Sequence, residues 1–106
     1  MAWEVIFSER SKNDLEQIVT YIARDDPAAA ERFGSKLIDQ AESLGDAPEL
    51  GPRLPQKRGA RFFPVGSYLI IYRLDVNKGV VRILRFWHAP GAIIFRSPRG
   101  IINFNL

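Results

Sequence analysis

A chain of 106 residues has room for one domain with one core, and 46% apolar with 25% charged residues is the balance of a folded protein rather than a disordered one. The absence of cysteine excludes disulfides, thiolate metal sites and a cysteine nucleophile, and one histidine is too few for a structural zinc site. A net charge of +3 hides an asymmetry: residues 1–50 carry eleven acids against five bases, whereas residues 51–106 carry ten bases against one acid, Asp75.

Residues 3–7 (Trp-Glu-Val-Ile-Phe) alternate as a short strand. Ser8 or Ser11 then caps a helix, Ser11 with Asp14 matching a capping box. Leu15, Ile18, Val19 and Ile22 form its apolar stripe, and it runs to about Arg24. Asp25-Asp26-Pro27 breaks that helix and starts another, with Asp26 as N-cap and Pro27 in the first turn. Ala30, Phe33, Leu37, Ile38, Ala41 and Leu44 share one face of the second helix, which Gly45 ends. Gly34 lies on the same face and implies close approach to the first helix. Two helices with so short a link form an antiparallel hairpin.

Residues 46–60 hold three prolines and two glycines and read as a long irregular loop. The period then switches to two. Residues 61–66 form a strand that Pro64 confines to a sheet edge or bulge, residues 68–74 a second, and residues 80–88 a third after a turn at Asn77-Lys78-Gly79. The order is β-α-α-β-β-β, an α+β fold with a helical hairpin packed on a curved, mainly antiparallel sheet. A single domain over residues 1–95 is expected, with Ala92–Phe95 able to add a short strand. The tail 96–106, with Ile101, Ile102, Phe104 and Leu106, either docks on its own domain or marks a surface for a partner. No apolar run reaches membrane-spanning length and Glu4 and Glu9 sit near the N-terminus, so no membrane partner, no signal peptide and a cytoplasmic location are expected.

The basic second half asks for an anionic partner, nucleic acid or an acidic protein segment. Arg53, Lys57 and Arg58 in the long loop are candidate partner-binding residues, as are Arg61, Arg73 and Arg85, the set favoured for a basic sheet surface; each of the last three could instead pair with a helix carboxylate. Strict alternation puts Arg73 on the face opposite Tyr68 and Tyr72. It also separates Val81, Ile83, Arg85 and Trp87 from Arg82, Leu84, Phe86 and His88, unless a bulge intervenes. Phe62, Phe63, Tyr68 and Tyr72, at strand spacing, are assigned to the core rather than to base stacking. His88 is the one side chain suited to proton transfer near neutral pH, though at a strand end it fits a structural role better.

Asp14-Leu15 with Ile18, Tyr21-Ile22-Ala23, Ala29-Ala30 and Phe33 resemble the helical hairpin of the RelE/ParE toxin superfamily. Pro48-Glu49-Leu50-Gly51, Arg61, Tyr68-Leu69-Ile70-Ile71-Tyr72-Arg73 and Ile83-Leu84-Arg85 leading to His88 agree downstream, so the match spans residues 3 to 88. The resemblance implies a toxin of a type II toxin–antitoxin pair. Its cognate antitoxin would have a DNA-binding N-terminal domain and a C-terminal segment that wraps the toxin, in a homodimer or a toxin–antitoxin hetero-oligomer. One branch of the superfamily cleaves messenger RNA on the ribosome; the ParE-like branch binds DNA gyrase. The nuclease branch places an arginine where this chain has Leu69, and acid/base or cationic groups where it has Ala89-Pro90-Gly91-Ala92. RNA cleavage needs a base, an acid and cations on the phosphorane. The ParE-like reading is therefore preferred, with no catalytic residue, no metal and no cofactor expected. Arg61, Arg73, Arg85 and His88 are the catalytic candidates of the nuclease alternative, and a degenerate, non-toxic nucleic-acid-binding member is the third.

Overall fold

A computed structural model describes residues 2–90; the expected strand at Ala92–Phe95 and the tail 96–106 lie outside the described residues. The elements are β1 (Glu4–Phe7), α1 (Glu9–Ala23), α2 (Pro27–Ser43), β2 (Ala60–Val65), β3 (Tyr68–Asp75) and β4 (Val80–His88), in the order expected.

Ser8, between β1 and α1, is the N-cap: its Oγ accepts from the Ser11 amide at 3.0 Å and donates to the Leu84 carbonyl at 3.1 Å. Ser11 is therefore not the cap but a buried residue of the first turn, its hydroxyl donating to the Ser8 carbonyl. Asp26 caps α2 by accepting from the Ala29 amide at 3.0 Å. Where the helices meet, a Cβ on Gly34 would stand 2.9 Å from Val19 Cγ2, which is the close approach the glycine allows.

The sheet order is β1-β4-β3-β2. β1 runs parallel to β4 and the other pairs are antiparallel, giving a mixed open sheet. β2, with Pro64, is an edge strand, as a proline in a sheet requires. The segment before it covers part of that edge: the Phe62 amide donates to Pro52 O at 3.1 Å and the Leu54 amide to Ala60 O at 2.8 Å.

The sheet separates two apolar clusters. On the helix side, Ile18, Leu37, Ala41 and Leu44 pack on Val65, Ile70, Tyr72, Val81, Ile83 and Phe86. On the far side, Leu54 folds over Ala60, Phe62, Leu69 and Ile71, with Leu84 and Trp87 beside them. Phe62, Tyr68 and Tyr72 thus pack in or against the core as expected, and Phe63 packs partly buried on the helix side.

One register shift corrects the expected faces of β4. Ile71 opposes Arg85 while Tyr72 opposes Ile83, so Leu84 is an extra residue in β4. Alternation restarts there. Val81, Ile83 and Phe86 all face the helices, leaving Arg82, Leu84, Arg85 and Trp87 on the far side.

Candidate functional site

The three arginines expected to share a sheet surface do not. Arg61 alternates with Phe63 and Val65, which face the helices, and its Nη1 donates to the Gly51 carbonyl at 2.8 Å. Arg73 lies on the far face, exposed, with Nη2 donating to the Arg58 carbonyl at 2.9 Å. Arg85 starts on the far face but its guanidinium grips Asp14 of α1, Nε to Oδ2 at 2.7 Å and Nη2 to Oδ1 at 3.1 Å. A helix carboxylate thus claims one of the three, and backbone carbonyls claim the other two.

Asp14 does more than pair with Arg85. β1 ends opposite Ile83, so β4 from Leu84 onward has no strand neighbour on that side. The Phe86 amide, left pointing outward, donates to Asp14 Oδ2 at 3.1 Å. One carboxylate therefore stands in for the missing strand and neutralises the arginine beside it. Nothing in the helical period of α1 signals the partner of Asp14, which lies 71 residues away.

The loop segment 48–51 is latched by Tyr72. Its hydroxyl donates to Pro48 O at 2.9 Å and accepts from the Gly51 amide at 2.9 Å. Burial raises the Tyr72 hydroxyl above its usual value and Glu49 adds to the rise, against the Gly51 hydrogen bond and the Arg61 charge, which lower it. Gly51 itself has no room for a side chain, since a Cβ would stand 2.2 Å from Phe62 O. Arg53 bridges to Arg61 through the backbone only, and the side chains of Arg53, Lys57 and Arg58 are exposed. Among the described residues these three cations make no ion pair.

His88 ends β4 beside Tyr68, ring centroids 4.6 Å apart, and Tyr68 in turn lies 5.5 Å from Phe33 of α2. His88 is exposed and points to the helix side, away from Arg73. Burial, then the neighbouring Tyr21, raises the Tyr68 hydroxyl. Leu69, at the position where the nuclease branch carries arginine, is 3% exposed in the far-side cluster.

Tyr21, Phe33, Tyr68 and His88 border a groove of about 1150 Å³ between α1, α2 and the open end of β4. Ile18, Ile22 and Phe86 make its floor, Phe33, Tyr68 and His88 one wall, and Tyr21, 66% exposed, stands on the helix side. Arg24, 6.0 Å from the Tyr21 ring, adds a cation to the rim, and Arg85, tied to Asp14, lies there 4.9 Å over Trp87. An apolar trough with a mixed polar rim suits the apolar face of a polypeptide segment. In the sequence these aromatics belong to separate elements, and only the packing of α1, α2 and the end of β4 joins them.

Comparison with known proteins agrees with this architecture. Residues 5–90 match the family described as ParE toxin of type II toxin–antitoxin system, parDE. Toxin RelE1 of Caulobacter vibrioides is 32% identical over 90 residues, spanning 83% of this chain and 95% of that protein. A chain from the chromosomal ParDE system of P. aeruginosa superposes with a TM-score of 0.72 at 17% identity, covering 83% of this chain and 97% of that one. A chain from the toxin–antitoxin complex RelBE2 of Mycobacterium tuberculosis gives 0.65 at 24% identity, covering 83% and 99%. These two structures share the fold of two helices on a four-stranded mixed sheet.

Proposed function

The chain belongs to the ParE toxin family of type II toxin–antitoxin systems, and on that premise we propose that it arrests growth by binding DNA gyrase, without bond-breaking chemistry of its own. The observation that carries this reading is that the four candidate catalytic groups do not converge: Arg85 and His88 border one groove, while Arg61 and Arg73 lie elsewhere. Arg85 is neutralised by Asp14, Arg61 is turned to a loop carbonyl on the helix side, and Arg73 lies on the face opposite His88. Among the described residues no base, acid and phosphate-binding cations converge on one point, and Leu69 offers an alkyl group where the transition state of RNA cleavage needs charge.

A cognate antitoxin is the second partner. The neighbours drawn from a ParDE system and a RelBE2 complex support it. Its apolar anchors fit the groove beside the helical hairpin, and its acidic residues meet the rim cations Arg24 and the loop cations Arg53, Lys57 and Arg58. A segment that orders on binding can cover much of so small a toxin.

Induction of the protein in a bacterium tests the target. Filamentation with gyrase-dependent DNA breaks is the expected result. The relative named RelE1 favours the alternative of a ribosome-dependent messenger RNA endonuclease. Rapid transcript cleavage that disappears in His88→Ala would establish that alternative and overturn ours. His88 is the residue for this test because it is exposed, whereas Arg85→Ala would also strand Asp14.

A further inference from the structure

We propose that Arg73 and Arg82 form a site for the phosphodiester backbone of a nucleic acid, on the sheet face turned away from the helices. The β3–β4 register sets Arg73 directly opposite Arg82. Both lie on the far face, since Tyr72, Val81 and Ile83 face the helices on either side of them in sequence. Like charges directly across a strand pair are unfavourable, and a fold without use for them would place an acid at one of the two positions.

Each guanidinium keeps most of its donors free. Arg73 is exposed and spends one of its five N–H donors on the Arg58 carbonyl, which holds the fork in place beside Gly59. Arg82 is paired only loosely, with Asp75 at 3.9 Å, the two side chains being 42% and 29% exposed. The contrast is Arg85, whose two contacts with Asp14 are 2.7 and 3.1 Å. Glu4 shares the far face through its register with Val80, but makes no ion pair with Arg82. The Arg73–Arg58 contact also sets the backbone of the loop segment that carries Lys57 and Arg58 beside this site.

The surroundings favour a phosphate chain over an acidic peptide. A bound peptide draws most of its affinity from buried apolar anchors. Among the described residues the exposed large apolar side chains are Tyr21 on α1, Leu50 in the loop and Val76 in the β3–β4 turn, none on the strand face that carries the two arginines. Planar guanidinium forks in a row match successive phosphates, and a contact of that kind reads charge and not sequence. The proposal is independent of the cellular target: it concerns the end of the sheet nearest the β3–β4 turn, far along β4 from His88.

The test uses the full chain and a short fluorescein-labelled single-stranded oligonucleotide, with anisotropy followed across a salt series. Binding is expected to weaken with salt, and Arg73→Gln and Arg82→Gln each to reduce the slope of log K against log salt by about 0.7, the double variant by about 1.4. Melting temperature should stay level or rise in these variants, which separates a binding role from a structural one. Lys12→Gln on exposed α1 serves as the control for diffuse charge and should leave the slope unchanged. Any of four results overturns the site: no binding at low salt, an unchanged slope in the double variant, an equal loss in Lys12→Gln, or arginine-dependent capture of polyglutamate in place of the oligonucleotide.

Discussion

Replacing Asp14 by alanine tests the role assigned to its carboxylate at the open edge of β4. Three hydrogen bonds end on this group, two from Arg85 and one from the Phe86 amide. The Asp14 side chain is 11% exposed and that of Arg85 26%. Breaking a fully buried pair from one side costs about 3–5 kcal/mol; because Arg85 keeps a path to water, about 2 kcal/mol is appropriate here. The stranded Phe86 N–H adds about 1 kcal/mol. A loss of about 3 kcal/mol is a large share of the roughly 5–15 kcal/mol that holds a small domain together, and corresponds to about 15 °C in melting temperature. Urea denaturation of Asp14→Ala, Arg85→Gln and the double variant measures it. The cycle should show a coupling of about 2 kcal/mol between the two positions. A loss under about 1 kcal/mol for Asp14→Ala, or additivity within about 0.3 kcal/mol, would refute the strand-replacement account.

Tyr72→Phe removes the latch on the 48–51 segment and leaves the Gly51 amide unpaired, an expected loss of about 2 kcal/mol with faster amide exchange at Gly51. Because burial raises the Tyr72 hydroxyl above 10.0, its contribution to stability is intact below about pH 10 and is lost as pH climbs through the folded-state value. Chemical denaturation at rising pH should therefore show a shallower alkaline decline in Tyr72→Phe; an identical decline would refute the assignment. Gly51→Ala, with its Cβ 2.2 Å from a backbone oxygen, should cost more than Gly34→Ala, whose clash is with the Val19 side chain at 2.9 Å. About 3 kcal/mol or more against about 1 kcal/mol is expected in urea melts, and the reverse order would contradict the packing described. Ser8→Ala loses the α1 cap and the bond to Leu84 O, about 1 kcal/mol by the same assay.

The order of elements was legible in the sequence because each has a local cause. The apolar stripe of α1, the Asp26-Pro27 start of α2, Pro64 on an edge strand and the Asn77-Lys78-Gly79 turn are all set by residues within a few positions of one another. The partner of Asp14 and the face of Arg85 had no such local cause. Both depend on where β1 stops along β4 and on the extra residue Leu84, which breaks the alternation of β4 opposite Ile71 and Tyr72. The groove likewise needs α1, α2 and the end of β4 in one place. Chain-local chemistry thus determined the helices, strands and turns, whereas contacts between residues tens of positions apart decided which charges are spent inside the fold and which are left for a partner.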